Sequence, residues 1–141
     1  MPPGVGPTLH RLFGLEVGAS GEGPARLRAA RSGIHLRGVR NSINGGIVAA
    51  LGEAAARACI EAALAPGERV DALREVSVVY LSAARGEHTS VDARLLRKGG
   101  RIAVAQVEVR DYTDGRLNAQ LLVSWALEPP ANVDADSPEA M

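Results

Sequence analysis

The chain has 141 residues and a mass of 14.7 kDa, enough for one domain with a core of its own and too short for two. Its 46% hydrophobic content exceeds what a disordered chain carries, and 16 basic side chains are balanced by 16 acidic ones. A net charge of zero removes the electrostatic case for nucleic acid or an anionic membrane as a partner.

Residues 1–11 form a loose N-terminal segment, because Met1-Pro2-Pro3-Gly4 and the residues around it have little to bury. Neither a basic head nor an apolar run follows Met1, so no signal peptide is expected. Short strands are predicted at 12–19 and 25–31, on either side of the turn-rich Gly18-Ala19-Ser20-Gly21-Glu22-Gly23-Pro24. Asn44-Gly45-Gly46 then opens a helix to about Leu64, stopped before Pro66-Gly67 and about 28 Å long.

Four strands are predicted after the helix, at 74–81, 88–97, 101–112 and 116–127. Val91, Ala93 and Leu95 alternate with Asp92 and Arg94. Ala103, Ala105, Val107 and Val109 share one face, as do Leu117, Ala119, Leu121, Val123 and Trp125. Lys98-Gly99-Gly100 and Thr113-Asp114-Gly115 have hairpin chemistry, which makes the last strands antiparallel neighbours. Residues 128–141 carry prolines and acidic groups and form a tail. With few aromatics, alanine, valine and leucine must build the core around Phe13, Tyr80 and Trp125.

Strands, one long helix, then strands is an α+β order. The helix is apolar nearly all round, so one layer of antiparallel sheet leaves part of it to be covered, and a second copy of the chain is the simplest cover. Glu53, Arg57 and Glu61 interrupt the helix's apolar run, which argues against a bilayer span. With Cys59 as the lone cysteine, the expectation is a soluble cytoplasmic homo-oligomer.

Chemical motifs are sparse. His10, His35 and His88 are scattered without a second ligand at metal spacing, so no metal is expected. Cys59, among alanines of the helix, is a small core residue. The Asn44-Gly45-Gly46 helix start presents backbone N–H groups at the positive end of the dipole, a geometry that suits an anion or the oxyanion of an attacked acyl group. Taken alone, the motif reads first as a helix cap after a tight turn. Glu53, about 12 Å further along the axis, is too far from Gly45 to serve one carbonyl within one chain. An acyl group could meet Gly45 of one subunit and Glu53 of another. The i, i+4, i+8 spacing of Glu53, Arg57 and Glu61 also fits a salt-bridged solvent stripe.

In order along the chain, the segments 44–53, 78–86, 100–111 and 114–120 resemble those of hotdog-fold acyl-CoA thioesterases of the PaaI type, relatives of 4-hydroxybenzoyl-CoA thioesterase. The segment Asn44-Gly45-Gly46 through Glu53 is similar to the family's HGG helix, whose catalytic carboxylate lies nine residues after the histidine. The resemblance covers 12–127 and implies an antiparallel sheet of five or six strands wrapped around one central helix. It also implies a dimer or dimer of dimers, an acyl-CoA substrate hydrolysed to free acid and CoA, and no cofactor beyond the CoA of that substrate.

By the same resemblance Gly45 supplies the oxyanion N–H, with Asn44 beside it in place of the usual histidine. Glu53 is nucleophile or general base. Ser82, from the facing subunit, holds the attacking water. Asn41 and Gly46 fall to substrate binding, and Arg97, Lys98 and Arg101 to the CoA phosphates. Asn44 cannot titrate, and an Arg57 paired to Glu53 weakens it as a base. Arg57 could instead line the acyl pocket and select substrates bearing a negative group. Both features keep open a hotdog protein that binds an acyl-CoA, or another acyl ligand, without cleaving it. A hydratase-like reading would want a histidine and aspartate pair on the helix, which this one lacks.

Overall fold

The computed structural model describes residues 45–131 and the strand segments at 15–17 and 25–30. The expectations that rest on Phe13, His10, His35, Asn41 or Asn44, or on the tail beyond 131, concern positions outside the described residues. Helix α1 spans Gly45–Ala62. Strands β1 (Leu15–Val17) and β2 (Ala25–Ala30) precede it, and β3 (Arg69–Tyr80), β4 (His88–Lys98), β5 (Ile102–Asp111) and β6 (Leu117–Glu128) follow. All pairings are antiparallel, in the order β1-β2-β4-β5-β6-β3, so β3 crosses over to the far edge and pairs with the last strand. Among the described residues this is an α+β arrangement, one helix on an antiparallel sheet.

The period-two pattern decides which face of the sheet meets the helix. Val91, Ala93, Ala103, Ala105, Val107, Val109, Ala119, Leu121, Val123 and Trp125 are all buried there, while Asp92, Arg94, Gln106 and Glu108 alternate with them on the other face. Small residues let the helix sit close. A Cβ added to Gly52 would lie 2.5 and 2.9 Å from the two methyls of Leu121, so the glycine is what admits that side chain.

Two expectations need correction. Strand β3 begins at Arg69, five residues before the predicted start, because register shifts on either side of Leu73 break the alternation that marks a strand in sequence. The helix also needs less outside cover than expected. Within one chain Ile47, Val48, Leu51, Gly52, Ala54–Ala56 and Ala58–Ile60 are already buried. What stays partly exposed is a stripe through Gly46, Ala50, Glu53, Arg57 and Glu61.

The turns are built locally. Asp111 Oδ1 accepts from the N–H of Thr113 (2.8 Å) and Asp114 (3.3 Å), and Gly115 closes the turn at φ 76°, a left-handed angle that glycine adopts without strain. After the helix, Glu68 accepts from the Ala65 N–H at 2.7 Å and pairs with Lys98 Nζ at 2.7 Å, tying the α1–β3 turn to the end of β4. The Lys98 hydrogen bond, then the Ala65 N–H, hold the Glu68 carboxyl below its ordinary value of 4.5, against a smaller opposing effect of burial. The folded state therefore binds this proton less tightly than the unfolded chain. Its stabilisation is complete above the ordinary value and disappears as pH falls through the lower folded one. Glu68→Gln should melt below the parent at pH 7, and the gap should narrow as pH falls below 4.5, the carboxyl's ordinary value. A gap of equal size at pH 7 and pH 3, followed by circular dichroism, contradicts this.

Candidate functional site

The site grows from the start of α1. No acidic side chain lies in the helix's first turn, so none there offsets the positive end of the dipole. Alternation along β3 carries Val76, Val78 and Tyr80 on the helix side, opposite Val123, Leu121 and Ala119 of β6. Tyr80, the last residue of the strand, therefore arrives where the helix begins. Its hydroxyl donates to the Gly45 carbonyl at 2.6 Å, and its ring lies 3.5 Å from where a Gly45 Cβ would stand. Tyr80 is not the core piece its size suggests. It is 55% exposed, because β3 is an edge strand of the described sheet and none of the other described elements packs over its end.

Between this helix start and the ends of β3 and β6 lies a cavity of about 320 Å³, lined by Gly45, Val48, Tyr80, Asn118, Ala119 and the segment Leu81–Ala84. Ser82 Oγ donates to the Leu117 carbonyl at 2.9 Å and accepts from Asn118 Nδ2 at 3.1 Å. Asn118 is 3% exposed, and its Oδ1 is a buried acceptor with no partner among the described residues. One chain thus brings Gly45 and Ser82 to the same cavity without a facing subunit. Tyr80 and Asn118 were not picked out as site residues from sequence. The only available signal was their place at the two strand ends nearest the helix start.

The other candidates stand apart from this cavity. Glu53 lies on the exposed stripe of α1 and is not in the lining, and no hydrogen bond or ion pair reaches it among the described residues. Arg57 pairs with Glu61 (Nε to Oε1 2.9 Å) and sits 5.3 Å from the centroid of the Trp125 ring, which leaves Glu53 unencumbered. Gly46 is exposed beside Gly45. Lys98 is engaged with Glu68, whereas Arg97 and Arg101 are exposed at the β4–β5 turn. That turn is at the opposite end of the sheet. Ala103 pairs with Trp125, and Val109 pairs with Ala119 beside the cavity, about 20 Å further along the strand. Among the described residues, Arg85 and Arg116 are exposed basic residues at the cavity's own end. Among the described residues no group of three His, Cys, Asp or Glu could hold a metal ion, and no helix is long and apolar enough to cross a membrane.

Residues 36–126 match the family model described as the acyl-CoA thioesterase N-terminal domain. The chain belongs to this family. The same fold recurs in solved structures. A thioesterase family protein from Silicibacter pomeroyi is 21% identical, with TM-score 0.75 over 86% of this chain and 89% of that one. A thioesterase from Haemophilus influenzae is 19% identical, with TM-score 0.70 over 85% and 82%. A protein from Bacillus halodurans, solved with CoA, is 22% identical, with TM-score 0.74 over 88% and 78%. No curated protein matches the sequence. At these identities the solved structures speak for the hotdog fold. Membership of the acyl-CoA thioesterase domain family rests on the sequence model, which spans the helix, the cavity segment 80–84 and Asn118.

Proposed function

We propose that this chain hydrolyses an acyl-CoA thioester to the free acid and CoA. The observation that carries the reading is the cavity at the start of α1, where Gly45 and Ser82 converge in a chain of the acyl-CoA thioesterase family. The Gly45 N–H polarises the thioester carbonyl and holds the oxyanion. A water held at Ser82 attacks the carbonyl carbon, a carboxylate takes the water's proton, and the tetrahedral intermediate collapses with CoA thiolate as the leaving group. The carboxylate is Glu53. Because Glu53 lies about 12 Å along the helix and round its side from Gly45, it is supplied by a second copy of the chain, and the working form is a dimer. Glu53 in direct nucleophilic attack is the variant of this scheme that dispenses with the water in the first step.

Arg57 belongs to the same exposed stripe as Glu53, so in a dimer built along that stripe it approaches the acyl end of the substrate. Arg97 and Arg101 can meet CoA phosphates only where another copy brings their turn to the cavity. The test is thiol release from a panel of aliphatic and aromatic acyl-CoAs, with melting temperature followed in parallel. Thiol release from at least one member is expected. A ligand-induced rise in melting temperature with no thiol release assigns the chain instead to binding without cleavage, a reading that Glu53's position outside the single-chain cavity favours.

A further inference from the structure

Asn118 occupies an irregular step of β6. Val109 pairs with Ala119 and Arg110 with Leu117, so Asn118 is the residue left over. A bulge of this kind takes a side chain out of strict alternation, and Asn118 is buried beside Ser82 instead of being exposed like Leu122. Its backbone carbonyl accepts from the N–H of Leu81 (2.8 Å) and of Ser82 (3.1 Å), and its Nδ2 donates to Ser82 Oγ (3.1 Å) and the Ala83 carbonyl (3.3 Å). The backbone bonds hold the segment in place whatever side chain stands at 118. The side-chain bond does something further. A hydroxyl has one proton and two lone pairs. Ser82 gives its proton to the Leu117 carbonyl and one lone pair to Asn118, so a single acceptor position remains.

We propose that Asn118 is a positioning residue that fixes the hydrogen-bond polarity of Ser82, so that Ser82 meets an incoming molecule only as an acceptor. The matching ligand chemistry is an O–H or N–H donor. A carbonyl or carboxylate oxygen of the acyl chain is turned away. The inference rests on the hydrolytic reading of the cavity, where the donor is the attacking water. Ser82 accepts one of its protons, its other proton stays available to the carboxylate, and a lone pair is left to face the carbonyl carbon. Asn118 itself touches none of the reacting atoms.

Asn118→Asp tests this. A carboxylate cannot donate to Ser82, and it draws the Ser82 proton away from Leu117, reversing the hydroxyl. At neutral pH kcat should fall about 10-fold or more with little change in KM. The variant-to-parent ratio should recover as pH is lowered until the carboxyl holds a proton and donates again. A KM effect in place of a kcat effect would make the donor a substrate N–H. A ratio flat with pH, or a recovery that persists once Ser82→Ala is added, overturns the proposal. Should the aspartate variant not fold, Asn118→Leu replaces it. Its loss should not multiply with that of Ser82→Ala, and multiplying losses overturn the proposal. The Ser82 hydroxyl proton gives a readout independent of turnover. By NMR it should move between parent and Asn118→Asp at neutral pH and return on acidification. If it stays in place the inference falls, whereas a parent that releases no thiol defeats only the hydrolytic reading.

Discussion

Glu53→Gln is expected to lower turnover about 100-fold or more on any acyl-CoA the parent cleaves, with its fold intact. Two structural facts separate chemistry from stability at this position. The side chain is only partly buried, and no ion pair or hydrogen bond reaches it among the described residues, since Arg57 is taken by Glu61. An isosteric amide therefore removes a charge without orphaning a partner, and stability should stay within about 0.5 kcal/mol of the parent. A variant as active as the parent across the panel ends the proposed mechanism. The same residue tests the subunit arrangement. Glu53→Gln and Ser82→Ala chains, each impaired alone, should complement when co-expressed, because a mixed dimer rebuilds one intact site. That site should carry roughly half the parent's activity per dimer. If the mixed species stays as inactive as its components, Glu53 and Ser82 must act from the same chain.

The second large effect is on stability. Gly52→Ala improves intrinsic helix propensity by about 1 kcal/mol, and on an exposed helix it would stabilise. Here the new methyl would lie 2.5 Å from one methyl of Leu121 and 2.9 Å from the other. Leu121 is 1% exposed and enclosed by the core, so it has nowhere to swing. Overpacking of this kind costs about 1–3 kcal/mol, with Gly52→Val at or beyond the upper end, and the net result is a lower melting temperature. Leu121→Ala alone should cost about 2–5 kcal/mol through the cavity it leaves. In the double variant Gly52→Ala/Leu121→Ala the added methyl fills part of that cavity, so the total falls short of the sum. A Gly52→Ala protein that melts above the parent would show that α1 and β6 are not packed through this glycine.

Much of this architecture is legible in the residues. Ala103 to Val109 and Ala119 to Trp125 alternate so strictly that the core face of β5 and β6 can be read off, and Pro66-Gly67 marks the end of the helix region. What escaped has identifiable causes. Residues 69–73 form the first part of β3, but bulges there erase the period. Size alone places Tyr80 in the core, and only the crossover of β3 to the sheet edge shows why it is exposed. Asn118 falls at an outward position by alternation, and the one-residue bulge that turns it inward leaves no trace in local sequence. The helix start and the carboxylate were visible as motifs. The network that orients Ser82 depends on pairing between segments far apart in the chain, which no window of sequence contains.

That pairing has a consequence for how the protein is made. Ser82 is tied to Leu117 and Asn118 across gaps of 35 and 36 residues, and among the described strands β3 pairs with β6 alone, which runs to Glu128. As the chain leaves the ribosome, Val79, Tyr80 and Leu81 emerge with an unpaired edge. At typical elongation rates they wait roughly 2–8 s for the strand that pairs with them. The cavity at the start of α1 is thus among the last features to exist, and nascent chains that stall before β6 present an apolar strand in search of a mate. A chaperone that shields extended apolar segments would act on this interval, and the yield of active protein should respond to translation speed through 82–117 more than through the helix.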